Sequence, residues 1–425
     1  MSARILEIDG LAESPDVGSR LLQGDVILLR GCLQALGLFD VVRDASLAGI
    51  RNAAGEEVAE RVAREGFESL HRIVEAARIP EVTEAVYQVV AREAPAWLDG
   101  ILHGALGVTR PFFFERQPNV RFLIPFASAR GNGQAFKRFA QSHGEGKITP
   151  HGPHRDSWLD CPTNAVNVWI AVGPVRRGNG LTIFTEAYDK ELAHTKKGEI
   201  TREVNPGKAT NFEMAPGDAL LFHGDQLHGS ELNWTDETRH VVSFRLTLER
   251  PRFRDLQYHH YAHSGFRSGL LSPFAEVPAS LTWNYFGTRL RFLARKLTGR
   301  DGAAEPPATG ARGPAQDRAS EELEIPLASI PVGALHPVTE RVCATRLEDG
   351  RVLAFARSCP HEGADLVQGT VADATLVCPW HNLSFDLRSG ESPCKALRAL
   401  RHYPVTLDGD RVRISLSGGK PPADR

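Results

Sequence analysis

Short apolar runs set the rhythm of this chain. Asp25-Val-Ile-Leu-Leu-Arg30 is a hydrophobic stretch between polar ends and predicts a strand. Segments with helical spacing follow over Glu57–Ala77 and Val82–Leu98. The period then shortens. Asn119–Phe126, Ala165–Val172, Gly180–Thr185, Ala219–Phe222 and Val241–Leu248 are apolar or alternating runs bounded by Gly, Pro, Asn and Asp, and they predict strands. Helices ahead of many antiparallel strands predict a mainly β domain with helical support, a double-stranded β-helix or jelly-roll. Shorter runs recur at Ala344–Leu347, Arg351–Arg357, Thr375–Cys378, Ser384–Asp386 and Arg411–Ile414, and these suit a small all-β domain at the C-terminal end.

Between the two patterns the apolar signal vanishes. From Gly299 to Glu322 there is no Val, Ile, Leu, Met, Phe, Trp or Tyr, while Pro306, Pro307, Pro314 and charges of both signs are present. Such a stretch cannot bury apolar surface, so residues 299–322 are expected to be a flexible linker. As a coil its ends would lie roughly 25–30 Å apart. The expected domains are 1–298 and 323–418.

A chain of 425 residues exceeds one ordinary core, which agrees with that division. The net charge of −2 gives no sign of nucleic acid as a partner. No apolar run reaches the roughly 18 residues of a membrane span. The opening MSARILEIDG carries Glu7 and Asp9 and does not read as a signal peptide. Leu281–Arg300 has a helical apolar stripe flanked by five basic residues and no acid. It is expected to pack on the jelly-roll with a solvated charged face, and contact with an anionic membrane surface is the weaker alternative. Phe112–Phe114 and Phe122–Phe126 are expected to be core. The six cysteines form no disulfide framework, and two lie in tight Cys/His clusters, which points to metal binding in a reducing cytoplasm.

The first cluster is Cys359-Pro-His361, followed after sixteen residues by Cys378-Pro-Trp-His381. A [2Fe–2S] centre with two thiolates on one iron and two imidazoles on the other needs this interleaved set. A Cys₂His₂ zinc finger instead has a cysteine pair followed by a histidine pair. With Gly363, Phe385-Asp386, Gly390 and Tyr403-Pro404, the region from Glu324 to Leu416 resembles the Rieske ferredoxin family. The loops CPHEGADL and CPWHNLSF lack the extra cysteines of respiratory Rieske proteins, so the resemblance is to the low-potential ferredoxin branch. It implies one-electron transfer through His361 or His381 and a ferredoxin reductase as electron donor. Cys343 and Cys394 lie outside the loops and read as small buried hydrophobes.

The second constellation is His151-Gly-Pro-His154-Arg-Asp156-Ser-Trp158. Residues i and i+2 of a strand share a face, so His154 and Asp156 can reach one metal. The run DALLFHGDQLHGS offers His223 and His228 as a third ligand; five positions apart, they would face opposite ways, and one of them is expected to enter. Two histidines and a carboxylate with three open positions form the facial triad of non-haem Fe(II) oxygenases. Arg239, Val241, Ser243 and Arg245 would share a strand face, and an arginine fork suits a planar carboxylate.

With Trp169, Asn179-Gly180, Gly217-Asp218, His228-Gly-Ser230 and Asn233, residues 100–250 resemble the phytanoyl-CoA dioxygenase-like branch of Fe(II)/2-oxoglutarate dioxygenases. The resemblance implies His154, Asp156 and His228 as iron ligands and Arg239, with Ser243, on 2-oxoglutarate. After Asn179-Gly180 the family's Pro-Gly-Ser-His gives way to Thr185-Glu-Ala-Tyr188, so nothing supports phytanoyl-CoA as substrate. Related halogenases lack the carboxylate; its presence favours hydroxylation or another C–H oxidation. The expected protein is a cytoplasmic, 2-oxoglutarate-dependent dioxygenase of a small organic substrate, with O₂ as co-substrate and a fused Rieske domain that keeps its iron reduced. The alternatives are a Rieske-driven mononuclear iron oxygenase without 2-oxoglutarate, and a non-enzymatic redox or oxygen sensor.

Overall fold

A computed structural model of the chain describes residues 3–11, 16–109, 111–115, 118–130, 152–159, 161–195, 198–201, 204–253, 261–264, 322–360, 364–380, 383–393 and 397–416. The 281–300 segment, the 299–321 stretch, His361, His381 and Cys394 lie outside the described residues. The description that follows is of the described residues.

The N-terminal region is built on two sheets. Its strands are β1 (Ile5–Asp9), β2 (Val26–Arg30), β3 (Phe113–Glu115), β4 (Asn119–Leu123), β5 (Val166–Ala171), β6 (Leu181–Phe184), β7 (Thr210–Asn211), β8 (Ala219–His223), β9 (Leu227–Ser230), β10 (Arg239–Thr247) and β11 (Tyr261–His263). The larger sheet runs β1-β2-β8-β5-β10-β3-β11, with β4 also paired to β10; the smaller runs β7-β6-β9. Apart from the parallel β1–β2 pair, the large sheet is antiparallel. This is the jelly-roll expected from the apolar rhythm, with the strand runs displaced by one to three residues at their ends.

Period-two alternation assigns the faces. On β5, Val166, Val168 and Ile170 join a large core with the helices, together with Val242, Phe244 and Leu246 of β10. Their neighbours Trp169, Ala171 and Val241 pack instead with Leu181 and Ile183 of the small sheet. One face of the large sheet is therefore covered by helix and the other forms the interior of the jelly-roll, where the candidate site lies.

The helical cover consists chiefly of Phe39–Ala54, Glu56–Glu65 and Ile79–Asp99. The last two lie close to the expected segments, although 57–77 breaks after Glu65 into three short helical pieces. Phe39–Ala54 carries no comparable signal because its buried stripe contains Ala45, Ser46 and Gly49 beside Val42 and Ile50. Gly49 is needed for the crossing. A Cβ there would meet the Val86 Cα at 2.3 Å, so the helix backbones touch where only hydrogen fits. Phe112, Phe114 and Phe122 are in this core, as expected.

The C-terminal region is all β. Glu322–Pro326, Arg411–Ser415 and Val405–Asp408 form one sheet; His336–Pro337, Val342–Arg346, Val352–Ala356 and His402–Tyr403 form another; Thr370–Ala372, Thr375–Val377 and Ser384–Asp386 make a third. Cys343 is fully buried in its core, as a small hydrophobe. Phe184, Ala187, Leu227 and Leu232 of the jelly-roll share one apolar cluster with Cys359, Cys378, Trp380 and Leu383 of the C-terminal region. No described helix is long and apolar enough to cross a membrane.

Candidate metal centres

His154 and Asp156 do not lie on a continuous strand. His154 makes an isolated antiparallel bridge to His228, and Asp156 opens a 3₁₀ turn over Asp156–Leu159. The expectation of a shared strand face is corrected in that detail, yet the outcome is the same. The His154 amide donates to the His228 carbonyl at 2.9 Å and the His228 amide returns the bond at 3.0 Å. This exchange sets the two imidazoles side by side, with ring centroids 4.5 Å apart. The Asp156 amide is tied to the Gly224 carbonyl at 2.9 Å. Arg155, between the two, turns away and caps the carbonyls of Ala187, Tyr188 and Lys190.

One ligand atom from each of His154, Asp156 and His228 lies within 4.8 Å of the others, and all three residues are buried. The tautomers suit a metal. His154 Nδ1 lies 2.7 Å from the Gly152 carbonyl and His228 Nδ1 lies 2.8 Å from the Gln226 carbonyl. A carbonyl only accepts, so each Nδ1 carries the proton and each Nε2 presents its lone pair. His223 does not join them: its Nδ1 accepts the Asp225 amide at 3.1 Å and its ring lies edge-on to Tyr188.

Asp156 is braced on both oxygens. Asn167 Nδ2 donates to Oδ2 at 2.6 Å, while Arg245 places Nη2 3.0 Å and Nε 3.1 Å from Oδ1. Burial alone would raise the carboxyl's pKa. Arg245, with help from both imidazoles and Asn167, outweighs it and holds Asp156 well below the usual carboxylate range. Burial lowers the pKa of His228 and keeps it neutral, as a ligand must be.

A cavity of about 90 Å³ opens beside this cluster. Trp169, Leu181 and Phe222 give it apolar walls; Arg121, Ser243 and Arg245 give it polar ones. Arg239 sits behind that wall, its guanidinium 5.2 Å from the Trp169 ring centroid. Its Nη1 donates to the carbonyls of Asn179 and Gly180 at 2.6 and 2.8 Å, whereas Nε and Nη2 are buried with no hydrogen-bond partner. Burial, then the charge of nearby Arg121, press its pKa down, with Glu231 opposing. Since a guanidinium stays protonated, that pressure marks uncompensated positive charge that an anion would offset. Arg121 is likewise pushed down to about 10 by burial and Arg245.

Arg121 was missed by motif reading. Its signal was the alternation Asn119-Val-Arg121-Phe122, in which Val120 and Phe122 face the helices and the polar positions face the interior. Register then sets Arg121 against Val241 and Asn119 against Ser243.

The C-terminal cysteines occupy two loops of the same design. The Cys359 amide donates to the Ala364 carbonyl at 2.9 Å, and the Cys378 amide to the Leu383 carbonyl at 2.8 Å. Each cysteine thus opens a loop closed five residues later, and both are almost fully buried. Arg357 braces the first loop through Asp365, with contacts of 2.5 and 2.8 Å. Gly390 has φ +75° and stands where a Cβ would lie 2.6 Å from the Leu400 carbonyl, so the turn admits only glycine. His361 and His381 lie on these loops in sequence, outside the described residues.

Comparison with known proteins divides the chain in the same way. The family model of phytanoyl-CoA dioxygenase (PhyH) matches residues 35–241, and that of the Rieske [2Fe-2S] domain matches residues 330–404. The 3-phenylpropionate/cinnamic acid dioxygenase ferredoxin subunit of Shigella boydii serotype 4 (strain Sb227) is 35% identical over 99 residues, 23% of this chain and 93% of that protein. Apoptosis-inducing factor 3 of Mus musculus is 31% identical over 71 residues, 16% of this chain and 12% of that protein. Among solved structures, a ferredoxin of Sphingomonas yanoikuyae B1 is similar at 25% identity and a TM-score of 0.21, covering 23% of this chain and 98% of that one.

Proposed function

The chain joins a domain of the phytanoyl-CoA dioxygenase family to a C-terminal Rieske [2Fe–2S] domain, and from that premise we propose that it is a 2-oxoglutarate-dependent dioxygenase whose own Rieske domain keeps the mononuclear iron reduced. The Rieske domain gives it a [2Fe–2S] cluster, and the dioxygenase family implies Fe(II) and 2-oxoglutarate. In this reading His154, Asp156 and His228 hold Fe(II), and Cys359, His361, Cys378 and His381 hold the cluster.

The observation that carries the 2-oxoglutarate dependence is Arg239. A fully buried guanidinium with Nε and Nη2 unpartnered fits a carboxylate fork, and a dicarboxylate would bring the charge opposite to that of Arg239. We assign Arg239, with Arg121 and Ser243, to the distal carboxylate. The donor set of two Nε2 atoms and a carboxylate fits Fe(II) and leaves open positions for co-substrate and O₂. Bound iron with 2-oxoglutarate supplies oxidative decarboxylation to succinate and CO₂ coupled to insertion of oxygen at a C–H bond of the substrate. The chain's residues orient and exclude water. Trp169, Leu181 and Phe222 give the cavity an apolar wall, and the backbone carbonyls fix the imidazoles.

That reaction balances its electrons without a reductase. The Rieske domain is assigned to a side event: a cluster held by Cys359, His361, Cys378 and His381 would supply the one electron that returns oxidised iron at His154, Asp156 and His228 to Fe(II). Sharing one chain keeps the donor at roughly millimolar effective concentration. The apolar cluster linking Cys378 and Trp380 with Leu227, the neighbour of His228, supports the pairing.

The test starts from anaerobically purified full-length protein with iron and acid-labile sulfide counted. Oxygen uptake and succinate formation should require 2-oxoglutarate. A Cys378→Ser variant should begin at a comparable rate but stall early without ascorbate. Turnover sustained by a reductase and reduced pyridine nucleotide without 2-oxoglutarate would overturn the assignment in favour of a Rieske-driven oxygenase. Sustained turnover of the cluster-free variant would remove the role given to the Rieske domain.

A further inference from the structure

A carboxylate that ligates a metal is itself held by hydrogen bonds, and the identity of its partner matters. In this chain a four-residue line runs through the site: Glu115, Arg245, Asp156 and Asn167. Arg245 Nη1 lies 3.3 Å from Glu115, its Nη2 lies 3.0 Å from Asp156 Oδ1, and Asn167 holds the far oxygen at 2.6 Å. The strands fix this line. Arg245 on β10 is cross-strand from Asn167 on β5, and β3 pairs with the end of β10 one residue beyond Arg245. Arg245 also lines the cavity, but three of its five N–H donors are already directed at carboxylates, so it is poorly placed as a substrate clamp.

Resting on the iron-centre reading above, we propose that Arg245 is a positioning residue for that centre: it fixes Asp156 as a one-oxygen ligand and supplies a positive charge that favours Fe(II) over Fe(III). The first part follows from lone pairs. A carboxylate has about four acceptor sites. Arg245 directs Nε and Nη2 at Oδ1 and Asn167 directs Nδ2 at Oδ2, so three of the four sites are taken and the one left for a metal is on Oδ2. An open position is thereby preserved. The second part follows from charge. Two neutral imidazoles and one carboxylate leave bound Fe(II) at +1 and Fe(III) at +2. A cation beside the carboxylate, in a buried site where screening is weak, penalises the more highly charged state. Glu115, on the other side of Arg245, opposes it. The electron balance is one electron taken by Fe(III), with the reduced [2Fe–2S] cluster as donor, and a raised potential makes that transfer favourable.

The experiment uses full-length protein loaded with iron under anaerobic conditions. The potential of the mononuclear iron is titrated with mediators and followed by its high-spin ferric EPR signal, and Fe(II) release to a chelator is timed separately. Arg245→Gln should increase the Fe(III)/Fe(II) ratio at fixed potential about tenfold, a fall of about 59 mV for one electron. Glu115→Gln should move the potential the other way. Arg245→Lys, which keeps the charge but loses the fork, should leave the potential within twofold of wild type in that ratio while Fe(II) leaves several-fold faster. An unchanged potential in Arg245→Gln, or a shift of the same sign in Glu115→Gln, overturns the inference. Should Arg245→Gln fail to fold, as judged by loss of the jelly-roll domain's thermal unfolding transition, Glu115→Gln decides alone: any result but an upward shift overturns it. Wild-type protein that takes up the cluster but no mononuclear iron would overturn the iron-centre reading and this inference with it.

Discussion

Replacing Arg239 with Met separates the two jobs of this side chain. Met is close in volume and apolar, so the packing against Trp169 survives in part. The structural loss is the pair of Nη1 bonds to the Asn179 and Gly180 carbonyls. The Gly180 carbonyl still accepts the Glu231 amide at 3.1 Å, so the loss falls on the Asn179 carbonyl, about 1–3 kcal/mol. Against this stands the removal of a buried cation whose Nε and Nη2 have no partner, which returns part of that cost. The apo-protein should therefore lose little stability. The loss of ligand binding is much larger. Two charge-assisted bonds to a carboxylate are worth about 1.5–3 kcal/mol each, so the affinity for 2-oxoglutarate should fall on the order of 10²- to 10⁴-fold. The assay is anaerobic thermal unfolding with Mn(II) in place of iron. At a hundred times its dissociation constant, 2-oxoglutarate should stabilise wild type by about 2.7 kcal/mol, and at that same concentration the variant should gain almost nothing. Equal ligand-induced stabilisation of both proteins would refute the assignment of Arg239.

Other outcomes follow from the same structure. His154→Ala should abolish uptake of mononuclear iron while acid-labile sulfide is unchanged, because the proposed cluster ligands Cys359 and Cys378 lie in the Rieske domain; metal analysis on purified protein checks it. His240 is fully buried, stacked on Phe122 with ring centroids 4.0 Å apart, and burial pushes its pKa down to about 3. The fold holds it neutral, so its contribution is complete above the unfolded value near 6.5 and declines by roughly 1.4 kcal/mol per pH unit as pH falls from there toward 3. His240→Phe should flatten that part of a stability-against-pH curve from chemical denaturation. Gly49→Ala should destabilise the jelly-roll domain by about 1–3 kcal/mol through the clash with Val86, read from its thermal unfolding transition.

The outcome for each element depends on how locally its signal was written. Strands β5, β8 and β10 lay within a residue or two of their expected runs, because a buried strand announces itself by apolar alternation over a few positions. The helix Phe39–Ala54 did not, because close helix packing selects Ala, Ser and Gly over large apolar residues, and those weaken the periodic contrast. Cys-x-His and Cys-x-x-His could be read as a motif because a cluster loop would take its ligands from near neighbours, although the two histidines lie outside the described residues. His154 and Asp156 were legible too, though for a partly mistaken reason: an isolated bridge followed by a 3₁₀ turn brings them together where a strand had been expected.

What no local reading reaches is the choice between His223 and His228. Both lie on strands and precede a glycine, and both are buried. The choice is made by the exchange of backbone hydrogen bonds between His154 and His228 across a sequence gap of more than seventy residues. Arg121 and Arg245 belong to the same class. By itself the sequence determined the chemistry on offer: which side chains can hold iron, which cysteines can hold sulfide-bridged iron, and which faces must be buried. The tertiary structure alone decided which charges meet. Coulomb interactions act through space and grow as water is excluded, so the pairing of Arg245 with Asp156 and the strain of Arg239 beside Arg121 exist only once the two sheets have closed on each other.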